Sequence, residues 1–297
     1  MNNLLQHLVV HLGHRRTTFR VGREKPLNSQ FRDYFHMGIL TEVVNQGRLT
    51  GGTNGSMTKL GIIGGTGPES TLLYYRAICE GVQARLGDDV LPQLTVESLS
   101  VFEVFRHCAA QDFDGLTAYL SAGIGSLAAA GAQVASLTAI TPHIVFDRLV
   151  EASPVPLVSA VDAVRDEAVA RGTGKVLLLG TGFTMSPETN GFFTRPFTDA
   201  GVEVVLPDAA EIEEVQHRIA TELELGVVTD ETRDRFVGII DRVHRAEGVD
   251  QVVLGCTELP MVLNDSVSPV PCLDTVAIHT RALVDAAVGD TEPRPGI

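Results

Sequence analysis

From Lys59 onward the chain alternates short apolar runs with amphipathic stretches. The runs are KLGIIG, QLTVESL, QVASLTA, PLVSAV, KVLLLG, VEVVLP, QVVLGC and SPVPCLD. Several are continuously apolar rather than alternating, as parallel strands are when both faces of their sheet are covered. Between them lie segments with helical spacing: Ser70–Leu86, Phe113–Ala130, Thr141–Glu151, Asp162–Arg171, Ser186–Ala200, Ala209–Leu225 and Asp230–Glu247. A last helix opens at Asp274–Thr275. Strands that alternate with helices predict a doubly wound α/β fold. Ligands of such folds bind beyond the carboxyl ends of the strands.

Two pieces of the pattern repeat. KLGIIGGTGPES (Lys59–Ser70) resembles KVLLLGTGFTMS (Lys175–Ser186): a Lys, an apolar strand, Gly-Thr-Gly and a helix start. LTAITPH (Leu137–His143) resembles LGCTELP (Leu254–Pro260), and laying Leu137 on Leu254 sets Ala139 on Cys256. The same order at nearly the same offset predicts two similar α/β halves. Each half ends a strand in a small-residue turn followed by a hydroxyl, Thr141 or Thr257.

Composition narrows the class. With 297 residues, 44% apolar content and no Trp, the chain has the makings of one large or two medium soluble domains. No apolar run is long enough to cross a bilayer. The formal charge of −14 argues against nucleic acid or an anionic membrane as partner. The first 56 residues differ, with seven Lys+Arg against three Asp+Glu. They read as a poorly ordered extension, as upstream sequence, or as an organelle-targeting segment poor in acids. The four cysteines (79, 108, 256 and 272) form no CxxC or zinc spacing, so reduced thiols in a cytoplasm-like compartment and no metal are expected.

Candidate chemistry gathers at the strand ends. A Gly-Thr-Gly turn lets the backbone bend tightly and directs N–H groups at an anion. GGTGPES is not a full dinucleotide loop, since Ser70 stands where the third glycine belongs, and no Walker lysine follows. A carboxylate suits it as well as a phosphate does, and a tight turn with no ligand is the bland alternative. Cys256 follows an apolar strand, and Thr257–Glu258 would open a helix whose N-terminus favours a thiolate, both base and nucleophile. A buried small hydrophobe is the bland alternative. His143, and Asp274–Thr275 with His279, stand at helix starts, where caps are commoner than catalysts.

Five stretches together resemble the aspartate/glutamate racemase family: LGIIGGTGPESTLLYYRAICEGV, GAQVASLTAITPH, VLLLGTGFTMSPETNGFF, VVLGCTELP and CLDTVAIH. The resemblance implies two pseudo-symmetric doubly wound α/β domains with the active site in the cleft between them. It places residues 57–157 and 268–290 in domain 1 and 158–267 in domain 2, leaving 1–56 as the extension and 291–297 as a tail. It further implies a homodimer acting without cofactor on an amino-acid or other small carboxylate. Two cysteines flank the substrate α-carbon in that family, one removing the α-proton and the other supplying a proton to the opposite face.

Cys256, in its GCTE setting, matches the second family cysteine. At the first, within a Cys-Asn-Thr-x-His word, this chain keeps Thr141 and His143 but has Ala139 for the cysteine and Ile140 for the asparagine. Alanine carries no proton. Cys256, Thr141 and His143 are therefore the expected catalytic groups, and Gly65, Thr66, Ala139, Thr184, Thr257 and Glu258 the expected substrate contacts. Racemisation of aspartate, glutamate or a related acid with one thiol is one expectation. The pattern is also similar to arylmalonate decarboxylases, which keep only the second cysteine, so a one-thiol decarboxylase or isomerase is another. A non-catalytic carboxylate binder is a third.

Overall fold

The computed structural model describes residues 9–12, 15–18 and 57–289. The expectations for the rest of the extension and for the 291–297 tail lie outside the described residues. The chain divides into two units, 1–54 and 55–297. In the first, β1 (Val9–Leu12) and β2 (Arg15–Thr18) pair antiparallel, Val9 opposite Thr18.

The second unit holds two four-stranded, all-parallel sheets. The first contains β3 (Leu60–Gly64), β4 (Leu94–Ser98), β5 (Val134–Leu137) and β6 (Leu157–Val158), in the order β4-β3-β5-β6. The second contains β7 (Lys175–Gly180), β8 (Glu203–Val205), β9 (Gln251–Gly255) and β10 (Cys272–Asp274), in the order β8-β7-β9-β10. The two orders correspond strand for strand, so the sequence repeat is a repeat of topology. Register agrees: Ile63 of β3 lies opposite Leu137, and its counterpart Leu179 of β7 lies opposite Leu254.

Helices cover both faces. In the first half these are α1 (Pro68–Leu86), α2 (Val101–Ala109), α3 (Phe113–Ala129) and α4 (Phe146–Ala152). In the second they are α5 (Ala160–Ala170), the short α6 (Gly182–Met185), α7 (Gly191–Asp199), α8 (Ala209–Thr221) and α9 (Asp230–Glu247). The β7 side chains Val176, Leu177, Leu178 and Leu179 are fully buried, each stabilising the fold by roughly 1.5–3 kcal/mol. Side-chain caps set several helix starts, among them a capping box of Asp208 and Glu211 on α8.

Three sequence expectations are corrected. β10 hydrogen-bonds to β9, so the return to the first half begins not at residue 268 but with α10 (Thr275–Val288). That helix joins the two cores: Ile278 packs with α5 and α7, while Leu283, Val284 and Ala287 pack with α1. The stretch Thr141–Glu151 is not one helix, because a 3₁₀ turn (Thr141–Val145) precedes α4. Ser186–Ala200 likewise forms a helix only from Gly191. Among the described residues no helix is long and apolar enough to cross a membrane.

Candidate active site

Within each sheet the chain leaves the two central strands in opposite lateral directions, β3 toward β4 and β5 toward β6, and likewise β7 and β9. A crevice opens at such a switch point, beyond the carboxyl ends of the strands. The two crevices share one cavity of about 340 Å³. Thr66 and Gly67 after β3, and Ala139 and Thr141 after β5, form one wall. Thr181 after β7, and Cys256, Thr257 and Glu258 after β9, form the other.

Cys256 is 6% exposed and donates its S–H to Glu258 Oε2 at 2.9 Å. The same carboxylate oxygen accepts from Thr257 Oγ1 at 2.8 Å, and Thr257 Oγ1 accepts from Ser70 Oγ at 2.6 Å. Ser70 belongs to α1, so this hydrogen-bond chain ties the two halves together at the cavity. The expectation of a resting thiolate is corrected. Burial first, and then the Glu258 charge and hydrogen bond, push the thiol well above its ordinary value. The expected helix dipole is missing as well, since Glu258 leads only into a three-residue 3₁₀ turn, Leu259–Met261. Cys256 therefore rests as a thiol, hydrogen-bonded to the Glu258 carboxylate.

Across the cavity, Thr66 is 7% exposed and its hydroxyl has no partner. It sits beside the start of the 19-residue α1, whose N-cap, Gly67, makes no side-chain cap. An unsatisfied hydroxyl next to uncapped helix N–H groups suits an anion such as a carboxylate. Gly65 shapes this turn without lining the cavity. Its φ is +75°, and a Cβ there would lie 2.3 Å from the Leu99 carbonyl oxygen.

Of the sequence-predicted residues, the cavity brings together Cys256, Thr141, Thr66, Ala139, Thr257 and Glu258, and not Gly65, Thr184 or His143. Thr184 is fully buried, its hydroxyl 3.1 Å from that of Thr181. His143 is buried behind the wall. Its Nε2 accepts from the Ala160 N–H at 3.1 Å, so Nδ1 carries the hydrogen and donates to the Ala139 carbonyl at 3.0 Å. Both nitrogens are engaged, and burial lowers its pKa to about 4. It fixes the Ala139 loop and has no nitrogen free for a ligand. His279 lies in the core, bonded to Tyr74 and Ser136.

Sequence reasoning missed Thr181, Glu224, Phe102 and Phe105, all on the cavity wall. Thr181 is the threonine of the second Gly-Thr-Gly, so the repeat carried its signal. The phenylalanines belong to α2, whose apolar positions 101, 104, 105 and 108 have helical spacing behind Ser100.

Two parallel α/β halves that share a thiol-bearing cavity at their strand ends define a racemase-type α/β protein. Residues 63–283 match the profile of the Asp/Glu/hydantoin racemase family. A candidate Asp/Glu racemase from Yersinia pestis is 35% identical, aligns over 78% of this chain and 100% of its own, and has a TM-score of 0.72. An aspartate racemase homologue from Pyrococcus horikoshii is 37% identical over 78% and 99%, with a TM-score of 0.69. The aspartate racemase of Picrophilus torridus shares the fold at 24% identity over 77% and 94%, with a TM-score of 0.61. The chain belongs to the Asp/Glu/hydantoin racemase family.

Proposed function

We propose that this protein is a cofactor-independent isomerase that moves the α-proton of a small amino-acid-type carboxylate, with Cys256 as the proton carrier on one face. The observation that carries this reading is the pairing of Cys256 and Ala139, equivalent strand-end positions on the two walls of one cavity. The substrate carboxylate docks at Thr66 and the start of α1. Cys256 passes its proton to Glu258 and, as thiolate, takes the α-proton; in the reverse direction it returns a proton to the carbanion. On the Ala139 wall the Thr141 hydroxyl, which lines the cavity two residues along the chain, serves the other face directly or through water. Racemisation of aspartate or glutamate is the family's precedent for this chemistry. A homodimer in a cytoplasm-like compartment belongs to the same proposal, in keeping with four unpaired cysteines.

The Ala139 methyl and the protonated thiol favour a second reading. A malonate would lose CO₂, the breaking bond leaving its electron pair on the α-carbon, and Cys256 would protonate that carbanion from one face. Incubation with L- and D-amino acids in D₂O separates the two. α-Deuteration with loss of optical rotation supports racemisation. Inert amino acids together with CO₂ release from a malonate support decarboxylation, and neither result would remove both.

A further inference from the structure

A second cavity of about 470 Å³ adjoins the one beside Cys256, and the two share Phe105, Thr141, Thr181 and Glu224 as lining. Beyond those shared residues the second cavity is walled by Cys108, Ala109, Gly182, Phe183 and Ala220, with Gln216 as a neutral polar neighbour. At the edge of the first, Phe102 is 78% exposed, Phe105 47% and Leu225 71%. Large apolar side chains gathered at a cavity mouth mark a surface that a ligand covers. The charged residues on both linings, among the described residues, are all acidic: Glu69, Glu224 and Glu258. Burial and the charge of Glu258 already hold the Glu224 carboxyl above its usual range.

We infer that the substrate carries a single carboxylate, and that its substituent is uncharged, apolar or aromatic, and long enough to reach the second cavity. This deepens the α-proton-transfer reading and rests on it for the chemistry, but rests on the cavity walls alone for what is admitted. A second carboxylate, such as the side chain of aspartate or glutamate, would enter a space that already holds three acids and offers no cation to pair with. An α-ammonium group, by contrast, is complementary to the acidic wall. An apolar substituent covers Phe102, Phe105 and Leu225 and gains contact along the second cavity.

Calorimetric titration of the whole chain with 3-phenylpropanoate and L-phenylalanine, against glutarate and L-glutamate, tests this without requiring turnover. The phenyl compounds are expected to bind at least about tenfold more tightly, and Glu224→Gln to narrow that ratio several-fold by removing one repulsive charge. Equal or tighter binding of the dicarboxylates, or no binding of the phenyl compounds, overturns the inference. The same four compounds followed in D₂O keep the two claims apart. Phenyl preference in binding with no α-deuteration of any amino acid removes the proton-transfer reading and leaves the substrate class. Deuteration that favours glutamate removes the substrate class and leaves the chemistry.

Discussion

Ala139 and Cys256 occupy the same place in two copies of one strand-and-turn unit. Each stands two residues beyond a leucine that pairs with the penultimate residue of a central strand, Leu137 with Ile63 and Leu254 with Leu179, and both line one cavity. Cys256→Ala should therefore abolish α-proton exchange in D₂O, and Ala139→Cys should create or increase racemisation. The second change adds a single sulfur at a half-buried position next to the cavity, so the fold should survive it. Retained exchange in Cys256→Ala takes that residue out of the mechanism. No gain from a folded Ala139→Cys shows that the equivalence does not extend to chemistry.

Glu258 adds to burial in holding the thiol protonated. It is the charge nearest Sγ and accepts its hydrogen. Glu258→Gln removes that charge, so the Cys256 pKa should fall and the thiolate fraction near neutrality should rise about tenfold for each unit of the fall. Iodoacetamide should then label Cys256 faster, with labelling read by mass spectrometry and corrected with Cys256→Ala. Turnover should drop, because the amide takes no proton. Slower or unchanged labelling would show that burial alone sets the thiol's state.

How much of this was legible beforehand depends on which forces act locally. Continuous apolar runs, Gly-Thr-Gly turns and the offset of the repeat were enough for two doubly wound halves with Cys256 and Ala139 at matching strand ends. Each of those features is written within a dozen residues. The protonation state of Cys256 was not legible, since it depends on the length of the next helical turn and on where the Glu258 side chain folds. Helix α2 was overlooked because its apolar residues serve two surfaces: Val104 and Cys108 are buried in the core, while Phe102 and Phe105 are exposed at the cavity mouth. Thr184 was expected at the cavity, but it is buried, and Thr181, which caps the same short turn, lines the cavity instead. The place where the chain returns to the first half was misjudged for a further reason. β10 belongs to the second sheet while α10 packs on both halves, and no linker separates them.

Gly65 tests the carboxylate wall. Its left-handed φ of +75° and the close Leu99 carbonyl leave no room for a side chain. Gly65→Ala should cost about 2 kcal/mol or more, combining backbone strain with a clash against main chain that cannot swing away. Urea unfolding measures the loss. Because Thr66 is carried on the same turn, affinity for 3-phenylpropanoate should weaken with it. A variant as stable as the parent would mean that the turn relaxes freely, and the wall would then not be preorganised.

The buried histidines make an acid limit that carboxylates alone would not. Burial lowers His143 to about 4 and His279 to about 3, from an ordinary 6.5, with the neighbouring His143 adding to the effect on His279. Both folded-state values lie below the unfolded one, so between them the unfolded chain binds protons that the native chain refuses. The stabilisation is complete above pH 6.5 and is lost as pH falls toward 4 and 3, by about 1.4 kcal/mol per pH unit for each ring. Denaturation midpoints measured from pH 7.5 to 5 should therefore slope downward before most carboxylates titrate. His143→Gln keeps an acceptor for the Ala160 N–H and a donor for the Ala139 carbonyl but cannot titrate. Whatever its stability at pH 7.5, its slope between pH 6.5 and 5 should be shallower by one ring's share. A slope equal to that of the parent would mean that His143 is reached by protons in the folded state, and its assignment as a neutral support for the Ala139 loop would fall.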